Sequence, residues 1–202
     1  PASTRLGWRD ILGAWKVRWG IGRSNYRVEP GLYSVGQPGP DSPVLVTANY
    51  KLSFDMLRRE LGGQNLWIMV LDTKGVNVWC AAGKGTFGTE EVLRRIVLTG
   101  LGNLVRHREL ILPQLGAPGV SAHEVKAKSG FRVVWGPVQA RDIPAWLVSG
   151  RVKTASMRQV PFGILDRLVL TPVELVQNLR WLPLLLVWAA LAALPLDRYF
   201  TA

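Results

Sequence analysis

The sequence predicts an α/β fold, a domain built on a parallel sheet followed by a C-terminal transmembrane helix, and three observations predict it. Short β-rich runs, VLVTA at 44–48, LWIMVLD at 66–72 and FRVVWGP at 131–137, alternate with helical stretches. Buried apolar strands separated by helices mark a parallel sheet. Residues 181–196, WLPLLLVWAALAALPL, hold no charged side chain. At about 150 residues per domain, the 202 residues bound the chain to one main domain plus an appendage.

Composition narrows the function classes. The 25 Lys and Arg against 14 Asp and Glu leave a net charge of +11, with 48% hydrophobic residues, 21 Gly and 13 Pro, which excludes a disordered, collagenous or acidic-tail protein. One cysteine and two histidines exclude a disulfide framework, a self-contained zinc site and a protein-held iron–sulfur cluster. Any metal must arrive inside a cofactor. The basic excess sits at the two ends: residues 1–30 carry six basic against two acidic side chains, and residues 151–202 six against three. Such a balance suits nucleic acid or anionic lipid. The apolar run decides for a membrane and against nucleic acid.

Taken in order, residues 1–40 form a basic, Trp-rich N-terminal segment, with Trp8, Trp15 and Trp19 among Arg5, Arg9, Lys16, Arg18, Arg23 and Arg27. The tryptophans fall at helical spacing, which reads either as an interfacial strip or as packing onto the main domain. The domain, residues 41–150, follows with strand VLVTA, a helix capped by Ser53 that runs to Leu61, strand LWIMVLD, and NVWCA at 77–81 as a further strand or strand end. After GKGTFG comes a helix capped by Thr89, with Glu90 and Glu91 in its first turn and Val92, Ile96, Val97 and Leu101 on one face. LILPQL at 110–115, a GAPG loop at 116–119, a short helix from Ser121, strand FRVVWGP and a helical stretch at 143–148 complete a Rossmann-like parallel sheet.

A basic linker, 151–171, leads to the transmembrane helix, 172–196. Thr171 as N-cap, Pro172 at the first helical position and Glu174 three residues after the cap read as its start. From Pro172 to Leu194 it would run about 34 Å, kinked at Pro183. Arg180, Trp181, Trp188, Asp197, Arg198 and Tyr199 have the character of interfacial anchors. Arg151, Lys153, Arg158, Arg167 and Arg180 on its N-terminal side place residues 1–170 in the cytoplasm, at the inner (cytoplasmic) membrane. No secretory signal opens the chain. It begins without Met and stops six residues past the apolar run, which reads as a fragment of a longer membrane protein.

Two motifs compete for chemistry. Gly83, Gly85 and Gly88 spell G-x-G-x-x-G between an expected strand and a helix, the setting of a dinucleotide fingerprint. Glu109, the acidic residue near the required distance, precedes LILPQL instead of closing it. Cys80, in NVWCAAGKG, lies at a corner where α/β folds place ligands. Lys84 and the amides of the coming turn favour a thiolate, and Ala81, Ala82 and Gly83 leave room for a large group. Neither His107 nor His123 looks like a partner for a nucleophilic cysteine.

NVWCAAGK resembles the cap-helix motif N-(V/I)-W-C-A-(A/G)-G-K of the HgcA family, the membrane-anchored corrinoid proteins of microbial mercury methylation, at all eight positions. LGAPGVSAHEVKAKSGFRVVWGPVQARDIPAWL and VLVTANYKLSFD are similar to the corrinoid-binding domain shared with the large subunit of the acetyl-CoA-pathway corrinoid iron–sulfur protein. The resemblance implies a cobalamin or related corrinoid with its tail displaced from cobalt and Cys80 as the lower axial ligand. Asn77, Val78, Trp79, Ala81, Ala82, Gly83 and Lys84 would form the cap. Thr47, Thr86, Gly116, Ala117, Gly119, Val120, Gly136 and Pro137 are the candidates for the corrin and tail pocket, where small and hydroxyl residues suit close approach.

The same resemblance implies a corrinoid-dependent methyltransferase in which the thiolate opposite the methyl group weakens its bond to cobalt, so that mercuric ion, Hg(II), can take it. It implies a ferredoxin-like partner with two 4Fe–4S clusters to reduce the cobalt, and a methyl-folate-type donor with its methyltransferase. Two alternatives stay open. One is a corrinoid methyl carrier of the acetyl-CoA pathway, which would ordinarily lack this cysteine and the membrane helix. The other is a nucleotide-binding oxidoreductase using Gly83–Gly88.

Overall fold

A computed structural model of the chain describes residues 1–161, 163–179 and 181–192. They fall into two compact units: residues 1–14 with 24–160, and 15–23 with 161 onward.

The first unit holds a five-stranded sheet. Its strands are β1 (Gly31–Val35), β2 (Val44–Ala48), β3 (Leu66–Leu71), β4 (Glu109–Leu112) and β5 (Arg132–Trp135), in the spatial order β1-β3-β2-β4-β5. β3, β2, β4 and β5 are parallel. β1 runs antiparallel to β3, with Leu32 opposite Met69, and closes one edge. This edge strand lies ahead of the alternating strand–helix pattern and has no counterpart in the sequence reading.

Side chains alternate across the sheet, as the pleat demands. Val44, Val46, Ala48, Met69, Leu71, Leu110 and Leu112 face one layer. That layer comprises α3 (Val78–Gly83), α4 (Thr89–Leu98), α5 (Leu101–Leu104) and α6 (Ala122–Ser129). Leu45, Ile68, Val70 and Ile111 face the other, where α2 (Lys51–Arg59) contributes Phe54 and Leu57, and α7 (Ile143–Val148) contributes Ile143 and Trp146. Helices therefore cover both faces, and the β2 and β3 runs are buried almost throughout.

Several local expectations change for tertiary reasons. α2 starts at Lys51, with Ser53 inside it, because the Lys51 amide donates to the Tyr26 carbonyl at 3.0 Å and a neighbouring chain segment caps the helix. α4 is capped by Gly88, since the Thr89 hydroxyl instead accepts from the Ser121 amide at 2.8 Å. GAPG lies within a 3-10 turn, Gln114–Gly119. Ser121 does cap α6, accepting from the Glu124 amide at 3.3 Å.

The helix α1 (Trp8–Arg18) opens the chain. In the second unit, the single helix expected over 172–196 with a kink at Pro183 is replaced by two, α8 (Ile164–Leu179) and α9 (Leu182–Ala192), bent by 43°. Pro172 lies inside α8 and does not start it. Its missing N–H leaves the Leu168 carbonyl without its helical donor, and the Thr171 hydroxyl donates one turn back to Arg167 at 3.2 Å. Pro183 sits in the first turn of α9, where a proline costs no helical hydrogen bond. No single helix among the described residues is long and apolar enough to cross a membrane, whereas the bent pair is so by length and composition. The expected anchors Arg180, Asp197, Arg198 and Tyr199 lie outside the described residues, as does the expected end of the span at 196.

Candidate functional site

The strand order places a topological switch between β2 and β4. The chain leaves β2 toward β3 on one side and crosses back to β4 on the other, so their carboxyl ends open a crevice of the kind α/β sheets use for ligands. Helix α3 packs against the carboxyl-end side of this region, touching β2 and the 3-10 turn that follows β4.

NVWCA is therefore helical, not a strand. Asn77 stands outside the helix with extended backbone, and its side-chain oxygen accepts from the Cys80 amide at 2.9 Å, satisfying one of the free donors of the first turn. Ala81 and Ala82 are buried in the core and seat α3, with Val78 packed against the same cluster. Trp79, Cys80, Gly83 and Lys84 are exposed. Cys80 and Gly83 lie three residues apart and share the open face. A Cβ built at Gly83 would meet nothing within 4 Å, so the space beside the thiol is free.

The glycines beneath α3 have a different task. A Cβ at Gly116 would sit 2.5 Å from the Phe87 ring, and one at Gly119 would strike the Phe87 carbonyl and the Ala82 backbone. These two, expected to approach a ligand, let the turn after β4 close up on α3. Val120 is buried in the same core, and Ala117 is half-buried. Thr86 lies just after α3, its hydroxyl 3.5 Å from the Ala81 carbonyl. Gly136 and Pro137 are buried at the end of β5, where the Gly136 amide donates to the Leu112 carbonyl at 2.8 Å. Thr47 is buried in β2 and, by alternation, points with Leu45 into the α2 and α7 layer, opposite α3.

The glycine motif loses its nucleotide setting. Gly83 ends α3 and Gly88 caps α4, so a helix, not a strand, precedes it. Gly85 takes a left-handed φ of 78°, and a Cβ at Gly88 would lie 2.7 Å from the Gly85 carbonyl. The three glycines make a tight turn between two helices.

Sequence reasoning missed the group that holds α3 in place. Asn49, directly after β2 and buried, accepts through Oδ1 from the amides of Thr73 (3.1 Å) and Gly75 (2.9 Å), and its Nδ2 donates to Asp72 at 3.3 Å. The Thr73 hydroxyl lies 2.9 Å from the same oxygen and 2.6 Å from the Val76 carbonyl. The Asp72 amide donates to Glu91 of α4 at 2.8 Å. Asp72 is held below its usual carboxylate range, first by hydrogen bonding to Lys74, which outweighs the opposing effect of burial. Residues 72–76 are thus tied down before the chain enters Asn77. A polar residue ending an apolar strand at its carboxyl edge was the available signal.

Among the described residues no cluster of three or more His, Cys, Asp or Glu could hold a metal ion. His107 stands just before β4, at the amino end of the strands, 2.9 Å from the Ser42 carbonyl. The chemistry available at the crevice is one accessible soft donor on a rigidly seated helix, with open space beside it. That fits a large flat group bringing its own metal.

Residues 19–147 match the family model of the CO dehydrogenase/acetyl-CoA synthase delta subunit. The chain belongs to that family. Its curated relatives include the acetyl-CoA decarbonylase/synthase complex subunit gamma of Archaeoglobus fulgidus, 35% identical over 127 residues, 62% of this chain and 27% of the relative. The subunit of Methanopyrus kandleri is 33% identical over the same length and shares. That of Methanothermobacter thermautotrophicus is 32% identical over 143 residues, 68% of this chain and 31% of the relative. The chain thus spans about a quarter to a third of their length. These matches overturn the assignment to the mercury-methylation family, and with it the mercury methyltransferase activity and the Hg(II) substrate. An eight-residue motif carried that assignment, while the family match covers the whole sheet domain.

Proposed function

We propose that this chain is the corrinoid-binding part of a methyl carrier of the acetyl-CoA decarbonylase/synthase type. The observation that carries the reading is helix α3, set at the switch point inside the family-matched segment and presenting Cys80 on an open face. The corrinoid, when bound, supplies a cobalt that holds a methyl group.

The chain's own residues bind and orient. Cys80, whose thiol stands on the open face, is the residue that would hold the metal of the bound group. Asn77 fixes the turn that carries Cys80, Gly83 clears the surface next to it, and Trp79 and Lys84 border it. Thr86 and Ala117 lie on the neighbouring loops and line the approach, with Gly116, Gly119, Val120, Gly136 and Pro137 supporting them from behind. A methyl-donor enzyme, of the folate type or its equivalent, and an iron–sulfur electron donor act as protein partners within a larger assembly. The bent pair α8 and α9, apolar enough together to enter a bilayer, attaches the chain to the cytoplasmic membrane.

The test is a visible-absorption titration of the full chain with hydroxocobalamin, for the natural sequence and Cys80→Ala. Binding by both, with a cobalt–thiolate band only in the natural protein, is expected. Identical spectra would remove Cys80 as ligand and leave the carrier reading. Absence of binding by both would overturn it.

A further inference from the structure

Helix α1 is turned inside out. At about 100° per residue, Asp10 and Gly13 fall on one side, and this side faces the first unit. Asp10 bonds Lys51 (2.5 Å) and Arg58 (2.8 Å), and Gly13 lies against the Tyr26 ring where a Cβ would be 2.5 Å from its hydroxyl. The opposite side carries Trp8, Ile11, Leu12 and Trp15, which are 48–66% exposed. A helix in water ordinarily buries its apolar stripe and shows its polar one. Here the small and acidic side is bolted down and the aromatic side is offered outward.

The charges identify the occupant. Asp10 is the only acidic residue among the first 28, and it is consumed internally by two cations. Arg9 and Lys16 border the outward arc along one edge, with the Arg9 guanidinium 5.4 Å from the Trp8 ring centroid. An apolar stripe with tryptophan at both ends and cations along its border is the arrangement of a helix lying in a lipid–water interface. Trp15 and Trp19, their rings 5.7 Å apart, also belong to the unit that contains α8 and α9.

We infer that α1 lies flat in an anionic lipid surface, its Trp8–Ile11–Leu12–Trp15 face among the acyl chains and Arg9 and Lys16 at the headgroup phosphates. This deepens the membrane reading of α8 and α9. The test separates the two. The full chain in a Cys80→Ser background carries an environment-sensitive fluorophore at Leu12→Cys, or in a second sample at Leu186→Cys of α9. Each is mixed with phosphatidylcholine vesicles with and without phosphatidylserine.

The expected result is a blue shift at position 12, quenched by brominated acyl chains and strongest with phosphatidylserine. Arg9→Glu and Lys16→Glu should each weaken vesicle affinity about fivefold or more. A label at position 12 that stays open to aqueous iodide while the one at 186 is shielded overturns the interfacial helix and leaves the anchor. If both stay open, both readings fall. Shielding at position 12 without vesicles would show that a second protein copy covers the face, which also overturns it.

Discussion

Helices α4 and α1 are nearly equal in length, 10 and 11 residues, and both carry apolar side chains at helical spacing, yet they dispose of them in opposite ways. α4 presses Val92 and Ile96 into the core beside α6 and β3, with the Glu91–Arg95 ion pair tucked in next to them, and leaves Val97, expected on the core side, exposed together with Leu98. α1 buries only Val17 and shows Trp8, Ile11, Leu12 and Trp15. Periodicity states that a helix has two sides. Which side is partnered follows from what the rest of the chain places against it. In α1, the Asp10 contacts with Lys51 and Arg58 hold the polar side inward.

The strongest way to break this contrast is one substitution made in both helices. Ile96 is 6% exposed and Ile11 59%. Ile96→Ala should cost about 2–5 kcal/mol, since it removes buried methyl groups and leaves a cavity. Ile11→Ala in water should stay within about 0.5 kcal/mol. Urea denaturation followed by circular dichroism measures both. A large loss for Ile11→Ala would mean that α1 is covered in the isolated chain. A vanishing loss for Ile96→Ala would mean that α4 is not seated.

What the sequence made legible follows the same division. The apolar runs of β2 and β3 announced a two-sided parallel core, because only strands covered on both faces read as continuous VLVTA and LWIMVL. The start of α2 at Lys51 and the Gly88 cap of α4 were hidden because the contacts that set them, the Lys51 amide to the Tyr26 carbonyl and the Ser121 amide to the Thr89 hydroxyl, join residues far apart in sequence. The strand β1 was hidden because GLYSV is short and half-buried. At the site, Cys80 stood out through its small neighbours, but its helix did not, since six residues are too few for a period to show. The glycines at 116 and 119 looked like ligand contacts and are packing contacts, a distinction that only the Phe87 ring and the Ala82 backbone could reveal.

The second test sharpens the inner side of α1 through pH. Burial pushes the Asp10 carboxyl up, but hydrogen bonds from Lys51, the Gly7 amide and Arg58 outweigh it and bring it down to about 2. A carboxylate whose folded value is depressed contributes stability that is complete above its unfolded value near 3.9 and is lost as pH falls through the folded value. This attachment should therefore weaken between about pH 4 and pH 2, by about 2 kcal/mol in total. Asp10→Asn should remove that part of the acid dependence and loosen α1 at neutral pH, read as faster amide exchange along residues 8–14. Equal exchange in both proteins would mean that Tyr26 and Gly13 hold the helix without the ion pairs. Arg58 would then be satisfied by Asp55, 2.7 Å away, and by the Ser3 and Arg5 carbonyls.

The smallest effect is expected at α3, the third kind of helix in the molecule, neither deeply seated nor outward-facing. Six residues cannot sustain a helix alone, so α3 stands on the burial of Ala81 and Ala82 and on its Asn77 cap. Asn77→Ala should cost about 1 kcal/mol, confined to the first turn, because the two alanines and the Phe87 amide bond to the Ala81 carbonyl at 3.1 Å hold the other end. That cost corresponds to about fivefold faster exchange of the Cys80 amide, while Asn77→Asp, which keeps the acceptor, should restore protection. Loss of protection across the whole of 78–83 would instead show that the cap holds the entire helix. Cys80 would then owe its position on the open face to one side chain, and α3 would be better described as a hinged flap than as a fixed platform.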